Sequence, residues 1–325
     1  MRSASRVYIC HTPYHLLVAC LKELKREDLS KASVVLMDSL SSGEQYCERL
    51  RAVNLFSDVH YLKHESCFSS WTNTSFYKSL LWLKLHLNAK ETFSFVLDAK
   101  DVFIFNDHRD MGAVLHHFKK RYHLLEDGCD CFKCFNQKSL PTANSPLLRK
   151  LLKKTLNIPI SMGDSCYCMD IELNSAEQLS TIIDKPIVVN KKTELMSGLS
   201  ESALDVLRKV FPVPDLAAEG ATSALLLTSP PEAHGANWSE ADQLAFYGDV
   251  AHRCLQDVVF VKPHPRDTCD YRNLGNRVTV IPAELPIETL DIFAVNEFDL
   301  GICYISTALA QLKCCKKKIY LKTIA

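Results

Sequence analysis

The sequence lacks both a long apolar run and a net charge. None of its hydrophobic stretches reaches the roughly 18 consecutive apolar residues of a membrane-spanning helix. Its 38 basic and 38 acidic side chains give a formal net charge of zero, whereas binding to a nucleic-acid backbone needs a positive surplus. We therefore expect neither a transmembrane protein nor one whose main partner is nucleic acid.

The start of the sequence also lacks an export signal, although the chain is rich in cysteine. The short apolar run after Arg6 is interrupted by His11, Pro13 and His15, which is not the pattern of a signal peptide. Disulfide frameworks belong to oxidising compartments, so the 14 cysteines are interpreted mainly as reduced thiols. We expect a cytoplasmic protein.

Short apolar runs alternate with helical patterns, which is typical of parallel strands joined by crossover helices. The strands predicted in a first series are Arg6–Cys10, Ser33–Met37, Val59–Leu62, Phe93–Leu97, Val102–Phe105 and Tyr122–Leu125. Those of a second series are Ile187–Val189, Ala224–Thr228, Val258–Lys262, Val278–Ile281, Leu300–Tyr304 and Ile319–Leu321. The helices predicted between them begin after Thr12-Pro13 and cover Ser42–Val53, Ser75–Asn88, Met111–Lys119, Glu240–Gln256, Ile287–Val295 and Ser306–Cys314.

This alternation predicts an α/β protein of two doubly wound, Rossmann-like domains that face each other across a cleft. A polar stretch with Pro212 and Pro214 follows the first series, and the predicted domains are residues 1–187 and 188–325. Ligands of such sheets bind at the carboxyl ends of the strands. The loops at those ends are therefore the places to look for chemistry.

The first such loop carries an acidic pair followed by glycine. Glu126 and Asp127 come directly after the strand Tyr122–Leu125, and Gly128 permits a tight turn. Adjacent like charges raise one of the two pKa values, which suits a general base. A plain surface turn uses the same residue types, so both interpretations stay open.

The second loop brings a histidine between two cations. The strand Val258–Lys262 leads into Pro263, His264, Pro265 and Arg266, and the two prolines fix the backbone around the histidine. A rigid histidine beside Lys262 and Arg266 is suited to bind a phosphate. A histidine that merely caps a rigid turn is the alternative.

The third loop has two hydroxyls, Ser306 and Thr307, where a strand meets an apolar helix. Backbone N–H groups at such a helix start favour an anion, although an ordinary helix cap uses the same residues. Shortly before it, Glu288 stands two positions after Pro286 and near a helix start, where its carboxylate could accept hydrogen bonds from ribose hydroxyls.

Together these loops resemble the bacterial sialyltransferases, including the lipooligosaccharide sialyltransferases and capsule polysialyltransferases. That family has an acidic pair plus glycine, a His-Pro pair and a Ser/Thr pair, which stand here in the same order as Glu126-Asp127-Gly128, His264-Pro265 and Ser306-Thr307. The opening run from Val7 through Thr12-Pro13 to Tyr14 is similar to the lipooligosaccharide branch. The resemblance implies the GT-B fold, with the active site between two Rossmann-like domains.

The resemblance also implies roles for these residues. Glu126 would be the general base that deprotonates the acceptor hydroxyl, and Asp127 would share that role or orient the loop. His264 would stabilise or protonate the departing phosphate of CMP. The remaining donor contacts would come from Ser306 and Thr307 to the phosphate and from Glu288 to the ribose.

The implied reaction is an inverting transfer of sialic acid from CMP-sialic acid to a hydroxyl of a galactoside or sialoside. The single phosphate of this donor could be neutralised by His264, Lys262 and Arg266 without a divalent metal. No convincing Asp-x-Asp metal motif stands at a predicted strand end. The resemblance thus implies a nucleotide-sugar donor and a glycan or glycolipid acceptor, with no cofactor.

Closely spaced cysteines follow the acidic loop and leave a structural zinc site open. Cys129, Cys131 and Cys134 are followed later by Cys166 and Cys168, and zinc favours closely spaced thiolates. The spacing departs from paired C-x2-C, so free thiols are the main interpretation and disulfides a further alternative.

Two basic segments are compatible with peripheral contact at the inner face of a membrane. One is a basic amphipathic helix predicted over Pro146–Leu156, and the other is the cluster Lys313–Lys318. Such segments attract anionic lipids, although solvated helix faces have the same composition.

Three other functions remain open at this point. A CDP-glycerol glycerophosphotransferase of teichoic-acid type also has a Lys-x-His-Pro loop, and a glucosyltransferase of the broader lipooligosaccharide family would share the fold. A zinc-linked interaction module would use the cysteine cluster but would leave the three loops unexplained. Linkage, acceptor and oligomeric state are not encoded in these motifs.

Overall fold

The computed structural model describes residues 5–27, 31–40, 42–63, 88–128, 131–132, 135, 162–177, 179, 183–216, 220–230, 233, 238–294, 296–305 and 307–322, with Thr307 described in its backbone. The chain divides into two compact units, Met1–Val206 and Leu207–Ala325. Within the described ranges, no helix is long and apolar enough to cross a membrane.

The described part of the first unit is built on a parallel sheet with the strand order β3-β2-β1-β4-β5-β6-β7. Its strands are β1 (Arg6–Cys10), β2 (Ser33–Met37), β3 (Val59–Leu62), β4 (Asp101–Ile104), β5 (Tyr122–Leu125), β6 (Cys168–Leu173) and β7 (Ile187–Val189). The order reverses between β1 and β4. In a doubly wound sheet, this switch point is where a crevice forms at the carboxyl ends of the strands.

The helices described in this unit follow the strands in sequence. They are α1 (Pro13–Leu24), α2 (Gly43–Val53), α3 (Ala89–Thr92), α4 (Ser94–Leu97), α5 (Asp110–His117), α6 (Lys192–Met196) and α7 (Glu201–Val210), the last of which runs into the second unit. Every residue of β1 and β2 is buried, as expected for parallel strands covered on both faces.

The start of α1 is fixed by its own sequence. Thr12 has an extended backbone and is the N-cap, and its hydroxyl accepts a hydrogen bond from the backbone N–H of His15 (3.3 Å). Pro13 occupies the first turn, where its missing N–H costs nothing. Only His11 and Thr12 therefore separate β1 from the helix, which buries His15 at the strand end.

The second unit repeats the same arrangement with the strand order β10-β9-β8-β11-β12, again all parallel. Its strands are β8 (Ser223–Leu227), β9 (Val258–Lys262), β10 (Val278–Val280), β11 (Phe298–Cys303) and β12 (Cys315–Tyr320). The described helices are α8 (Glu240–Arg253), α9 (Glu288–Phe293) and α10 (Thr307–Gln311). The switch point lies between β8 and β11.

The predicted strand Phe93–Leu97 is wrong, because this segment is helical in α3 and α4. Ala89, Phe93 and Val96 are buried in the core of the first unit, and their spacing of four and three residues is that of a helix face. A five-residue apolar run does not by itself distinguish the two periods. Most of the predicted helix Ser75–Asn88 lies outside the described residues.

The division between the units falls after Val206, 19 residues beyond the predicted domain end at residue 187. The sequence pattern predicts β7 at the start of the second series, yet it pairs with β6 at the edge of the first sheet. The sequence pattern missed β6, α6 and α7, and β6 is the element that brings β7 into this sheet.

A buried carboxylate in the β4–α5 loop gives the first unit a pH-dependent stability. Burial raises the pKa of Asp107 to about 6, although it accepts hydrogen bonds from the Tyr122 hydroxyl (2.6 Å) and the Gly163 N–H (3.0 Å). In the unfolded chain an aspartate titrates near 4. The folded state thus binds the proton more tightly, and its stability falls as pH rises from about 4 to about 6.

Replacing Asp107→Asn should therefore flatten this pH dependence. A shift of about two pKa units corresponds to about 3 kcal/mol of unfolding free energy between pH 4 and pH 7. Urea unfolding at several pH values would measure how the unfolding free energy changes with pH in the wild type and in Asp107→Asn. An equal pH dependence in the two proteins would show that Asp107 does not titrate in this range.

Candidate active site

The acidic loop of the first unit lies beside the switch point of its sheet. His11 follows β1, Asn106 follows β4, and Glu126 and Asp127 follow β5. Because β1, β4 and β5 are neighbours, residues that are about 100 positions apart in sequence meet at one edge of the sheet.

Both oxygens of the Asp127 carboxylate have partners from neighbouring strand ends. Oδ1 forms a short hydrogen bond with Nε2 of His15, and Oδ2 accepts one from Asn106 Nδ2 (3.1 Å). The other ring nitrogen of His15, Nδ1, accepts from the backbone N–H of His11 (3.1 Å). The neutral His15 ring therefore carries its hydrogen on Nε2 and donates it to Asp127.

The His15 ring is held rigidly in this position. It is 1% exposed and stacks on Phe105 at 4.2 Å between ring centroids, with the planes 3° apart. Thr12 and Pro13 fix the helix turn from which it projects. Thr12 and Pro13 are predicted to support the acidic loop, and they are connected to Asp127 of that loop through His15.

This environment favours the ionised form of Asp127. Burial by itself raises the pKa of the carboxyl, whereas the hydrogen bond and electrostatic effect of His15, the hydrogen bond from Asn106 and the nearby His11 lower it, and the pKa is lowered on balance. A carboxylate with a lowered pKa and two donors on its oxygens is a weak proton acceptor, so the geometry favours an orienting function for Asp127.

Glu126 points to a different neighbour. Its Oε2 accepts a hydrogen bond from the backbone N–H of Asn174 (2.7 Å), just after β6, and Asn174 Oδ1 accepts from the N–H of Lys192 (2.7 Å). Gly128 follows with φ of 89°, a conformation that favours glycine. The two adjacent carboxylates are thus anchored on opposite sides of β5.

In the second unit, His264 lies in the loop that follows β9. Its backbone N–H donates to the Thr228 hydroxyl (3.0 Å), and its Nδ1 accepts from the backbone N–H of Arg266 (3.1 Å). Because Nδ1 is an acceptor, the hydrogen of the neutral ring is on Nε2. His264 can therefore donate from Nε2 to an anionic oxygen.

Thr228 and Ser229 follow β8 directly, and they contact the loops on both sides of this strand. The Thr228 hydroxyl holds the His264 loop and also donates to the buried carboxylate of Asp267, which accepts from the Tyr271 hydroxyl as well (2.8 Å). The Ser229 hydroxyl donates to the Ile305 carbonyl (3.1 Å), one residue before Ser306. The end of β8 thus contacts both the His-Pro loop and Ile305, the residue before the Ser-Thr pair.

The variant Thr228→Val should destabilise the second unit by about 1 to 3 kcal/mol, because it leaves the buried Asp267 with one donor fewer. Denaturant unfolding would measure the loss. Thr222 is the matched control, since its hydroxyl makes the same kind of bond to Asp257 (2.8 Å) at an exposed position. Equal losses in Thr228→Val and Thr222→Val would contradict this account.

Lys262 is predicted to contact the donor phosphate, but its ammonium is hydrogen-bonded within the second unit. The residue is 4% exposed, and Nζ donates to the carbonyls of Pro263 (3.0 Å) and Ala283 (2.9 Å). Burial lowers the pKa of Lys262 to about 8, while Glu284 and Glu288 act in the opposite direction. The contacts of Lys262 are those of a residue that ties the His-Pro loop to the loop after β10.

The other predicted donor residues that the structure describes lie near the same end of the sheet. Glu288 is the first residue of α9 and close enough to Lys262 to affect its pKa. Pro265 and Arg266 are exposed in the His264 loop. Ser306 lies outside the described residues, and Thr307 begins α10.

No group of three histidine, cysteine or acidic side chains in the described part of the chain is arranged to hold a metal ion. Cys131 and Cys168 are buried, and neither they nor Cys166 form a disulfide within the described part of the chain. Cys129 and Cys134, which belong to the predicted zinc site, lie outside the described residues.

Sequence reasoning missed the residues that hold the predicted ones in place. In the first unit these are His11, His15 and Asn106. In the second they are Thr228, Ser229 and Asp267. Each of the six lies directly after a strand or in the next turn, so the rule that points to strand ends would have found them once the strand order was known.

Comparison with known proteins supports this architecture. Among solved structures, the chain is similar to the alpha/beta-galactoside alpha-2,3-sialyltransferase of the luminous marine bacterium Photobacterium phosphoreum, with 13% identity and a TM-score of 0.55. The alignment covers 97% of this chain and 90% of that one. A UDP-glucose:anthocyanidin 3-O-glucosyltransferase in complex with UDP aligns at 11% identity over 94% of this chain and 77% of that one, with a TM-score of 0.42. The α/β architecture and the sialyltransferase neighbour confirm the predicted GT-B fold.

A search of the curated proteins gives no match. The sequence model of glycosyltransferase family 52, by contrast, matches residues 57–325. This range includes all three loops on which the predicted resemblance rests, and the resemblance is confirmed. The chain belongs to glycosyltransferase family 52, a family of bacterial sialyltransferases, and is a glycosyltransferase.

Proposed function

We propose that the protein is an inverting sialyltransferase that moves sialic acid from CMP-sialic acid to a hydroxyl of a glycan acceptor without a metal ion. Family membership supports the reaction class. One structural observation supports the chemistry: the hydrogen bond from Arg266 N–H to Nδ1 of His264 leaves the ring hydrogen on Nε2. A neutral donor with a fixed direction is suited to a leaving phosphate.

In the proposed reaction, the acceptor oxygen attacks the anomeric carbon of sialic acid and the bond from that carbon to the CMP phosphate oxygen breaks. Glu126 takes the proton of the acceptor hydroxyl. His264 donates a hydrogen bond to the phosphate as its charge develops. Such preorganised donors are typically among the largest contributions to catalysis, and attack from the opposite face inverts the configuration.

Asp127 is proposed as a positioning residue. Its carboxylate is bound by His15 and Asn106 and has a lowered pKa, which makes it the weaker candidate for the base. Glu126 lies next to it and is bound to the loop after β6. The assignment of Glu126 as base follows the resemblance, and the contacts of Asp127 support it.

For the donor, we propose that Ser306, Thr307 and Arg266 bind the phosphate and that Glu288 binds the ribose, with Pro265 fixing the loop. The Ser229 bond to the Ile305 carbonyl holds the residue before the Ser-Thr pair at the end of β8, which supports this assignment. Lys262 is proposed to position this region, since its ammonium is bound to two carbonyls.

The proposal places the nucleotide-sugar donor in the second unit.

We also propose peripheral membrane contact through two basic segments. One of them, Pro146–Leu156, lies outside the described residues. In the second unit, Lys313, Lys316 and Lys317 are exposed, although Lys316 also pairs with Asp299 (2.8 Å). Binding to anionic vesicles that weakens with salt would support the contact.

Donor choice is the experiment that tests the proposed function. The purified protein is given CMP-sialic acid, CDP-glycerol or UDP-glucose with lactose, and nucleotide release is measured with and without EDTA. We expect release of CMP from CMP-sialic acid alone, at an unchanged rate in EDTA. Preference for CDP-glycerol or UDP-glucose would overturn the donor assignment, and loss of activity in EDTA would overturn the metal-free mechanism.

A further inference from the structure

Asp267 is a buried carboxylate in the His264 loop to which the proposed reaction gives no function. It is 8% exposed. Its oxygens accept hydrogen bonds from the Tyr271 hydroxyl (2.8 Å), the Cys269 backbone N–H (3.0 Å) and the Thr228 hydroxyl. Removing a carboxylate from water is costly unless hydrogen bonds compensate. Three donors on one buried carboxylate indicate that Asp267 holds this part of the chain in place.

Both ends of the turn that carries the His264 ring depend on one hydroxyl. The turn runs from His264 to Asp267, whose backbone N–H donates to the His264 carbonyl (2.8 Å). The His264 N–H donates to the Thr228 hydroxyl oxygen (3.0 Å), and the Asp267 carboxylate accepts the hydrogen of that same hydroxyl. The turn is thus fixed to the end of β8 at its first residue and at its last.

The Asp267 carboxylate determines the direction of the Thr228 hydroxyl. A threonine hydroxyl has one hydrogen, and because Asp267 accepts it, the oxygen is left to accept from the His264 N–H. Hydrogen bonds to a carboxylate are stronger than neutral ones, and consecutive hydrogen bonds polarise one another. The carboxylate therefore strengthens the bond that holds the His264 backbone.

Asp267 is itself held by two buried side chains, Tyr271 and Gln243. Tyr271 is 1% exposed and Gln243 is fully buried. The Nε2 of Gln243 donates to the Tyr271 hydroxyl (3.1 Å) and to the Ser229 carbonyl (3.2 Å). Since Ser229 follows Thr228, the chain of hydrogen bonds returns to the end of β8, and the carboxylate is kept against Thr228.

We propose that Asp267 is a positioning residue that, through Thr228, sets the direction in which the His264 ring donates to the departing phosphate. This inference rests on the proposed function of His264 and deepens it. A displacement of about 1 Å in a group that acts in the transition state can cost about 100-fold in rate. Because Asp267 acts through His264, its replacement should change kcat much more than the KM for the donor.

A double-mutant cycle tests whether Asp267 acts through the His264 ring. In Asp267→Asn one carboxylate oxygen becomes an amide NH2, so one of the three donors loses its acceptor. We expect kcat with CMP-sialic acid and lactose to fall about tenfold, with the KM for CMP-sialic acid within about twofold of wild type. The same substitution made in His264→Ala should lower kcat by less than about twofold further. An equal loss in both backgrounds, or no loss in either, would overturn the inference.

The matched control is Asp270→Asn. Asp270 is an exposed aspartate in the same part of the chain, and its carboxylate is bound to the Arg272 guanidinium (2.7 Å) and not to Thr228. This variant should keep the kcat of the wild type. A tenfold loss in Asp270→Asn as well would show that the assay responds to any change of charge near the loop, and would contradict the specific effect of Asp267.

Tyr271→Phe makes the same test with a smaller disturbance, since it removes one donor from Asp267 and leaves the bond to Thr228. We expect kcat to fall about threefold, and this loss should disappear in His264→Ala. Urea unfolding shows that each variant is folded under the assay conditions. If Asp267→Asn does not fold, the Tyr271→Phe cycle decides, and a loss that is absent or equal in the two backgrounds overturns the inference.

Failure of this inference can be distinguished from failure of the proposed function. The backbone amide resonance of His264 in histidine-labelled protein, assigned by its loss in His264→Gln, needs neither donor nor turnover. We expect it to shift in Asp267→Asn, to shift less in Tyr271→Phe and to stay in place in Asp270→Asn. An unshifted amide in a protein that releases CMP would refute the positioning function alone. A shifted amide in a protein that does not use CMP-sialic acid would refute the donor assignment alone.

Discussion

Replacing His264→Ala should lower kcat for sialyl transfer by about 100- to 1,000-fold, the usual cost of removing one donor that stabilises charge in the transition state. The loop itself should persist, because the bond to Thr228 is made by the backbone N–H of residue 264 and not by its ring. The loss would therefore reflect the missing ring, whose Nε2–H donates and whose Nδ1 accepts from the Arg266 N–H. Steady-state kinetics with CMP-sialic acid and lactose measure it.

Two further variants separate the ring donor from a general effect on the unit. His264→Gln places an amide N–H in the same region and should recover part of the activity. His252→Ala removes an exposed histidine of α8 and should leave kcat unchanged. Activity of His264→Ala within threefold of wild type would rule out the function assigned to this ring.

Replacing Glu126→Gln should lower kcat by about 100- to 10,000-fold, as expected for loss of a general base, while the KM for CMP-sialic acid stays unchanged. The glutamine oxygen can still accept from the Asn174 N–H, so the loop should keep its conformation. The same kinetic assay measures the effect. Glu177→Gln, an exposed glutamate near the end of β6, is the control and should be fully active.

The comparison with Asp127→Asn decides between the two carboxylates. We expect a smaller loss there, about tenfold, because the proposed function of Asp127 is to orient the loop through His15 and Asn106. A larger loss in Asp127→Asn than in Glu126→Gln would transfer the base to Asp127.

The strand ends were predictable because parallel strands have a strong local signal. The predicted bounds of β1, β2, β3, β5 and β9 agree with the structure, since each is a short apolar run next to a turn or a proline. The acidic loop and the His-Pro loop follow β5 and β9 as expected. The helical segment Ala89–Leu97 was not recognised, and part of it was predicted as a strand, because a short apolar run carries no clear period.

The residues that support the loops were not predictable, because their contacts depend on strand order. His15 and Asp127 are 112 positions apart, and Thr228 and Asp267 are 39 apart. Nothing local in the sequence relates them. For Lys262 the local sequence is misleading. Its position beside His264 suggests a phosphate ligand, but the loop after β10 covers its ammonium and supplies the Ala283 carbonyl.

The central claim is inverting sialyl transfer from CMP-sialic acid, and the anomeric configuration of the product tests it most directly. NMR of the products formed from lactose and CMP-sialic acid, in which sialic acid is β-linked to CMP, should show an α-sialoside and one CMP released per linkage formed. A β-sialoside, or no sialylated product from an enzyme that uses another nucleotide donor, would contradict the account.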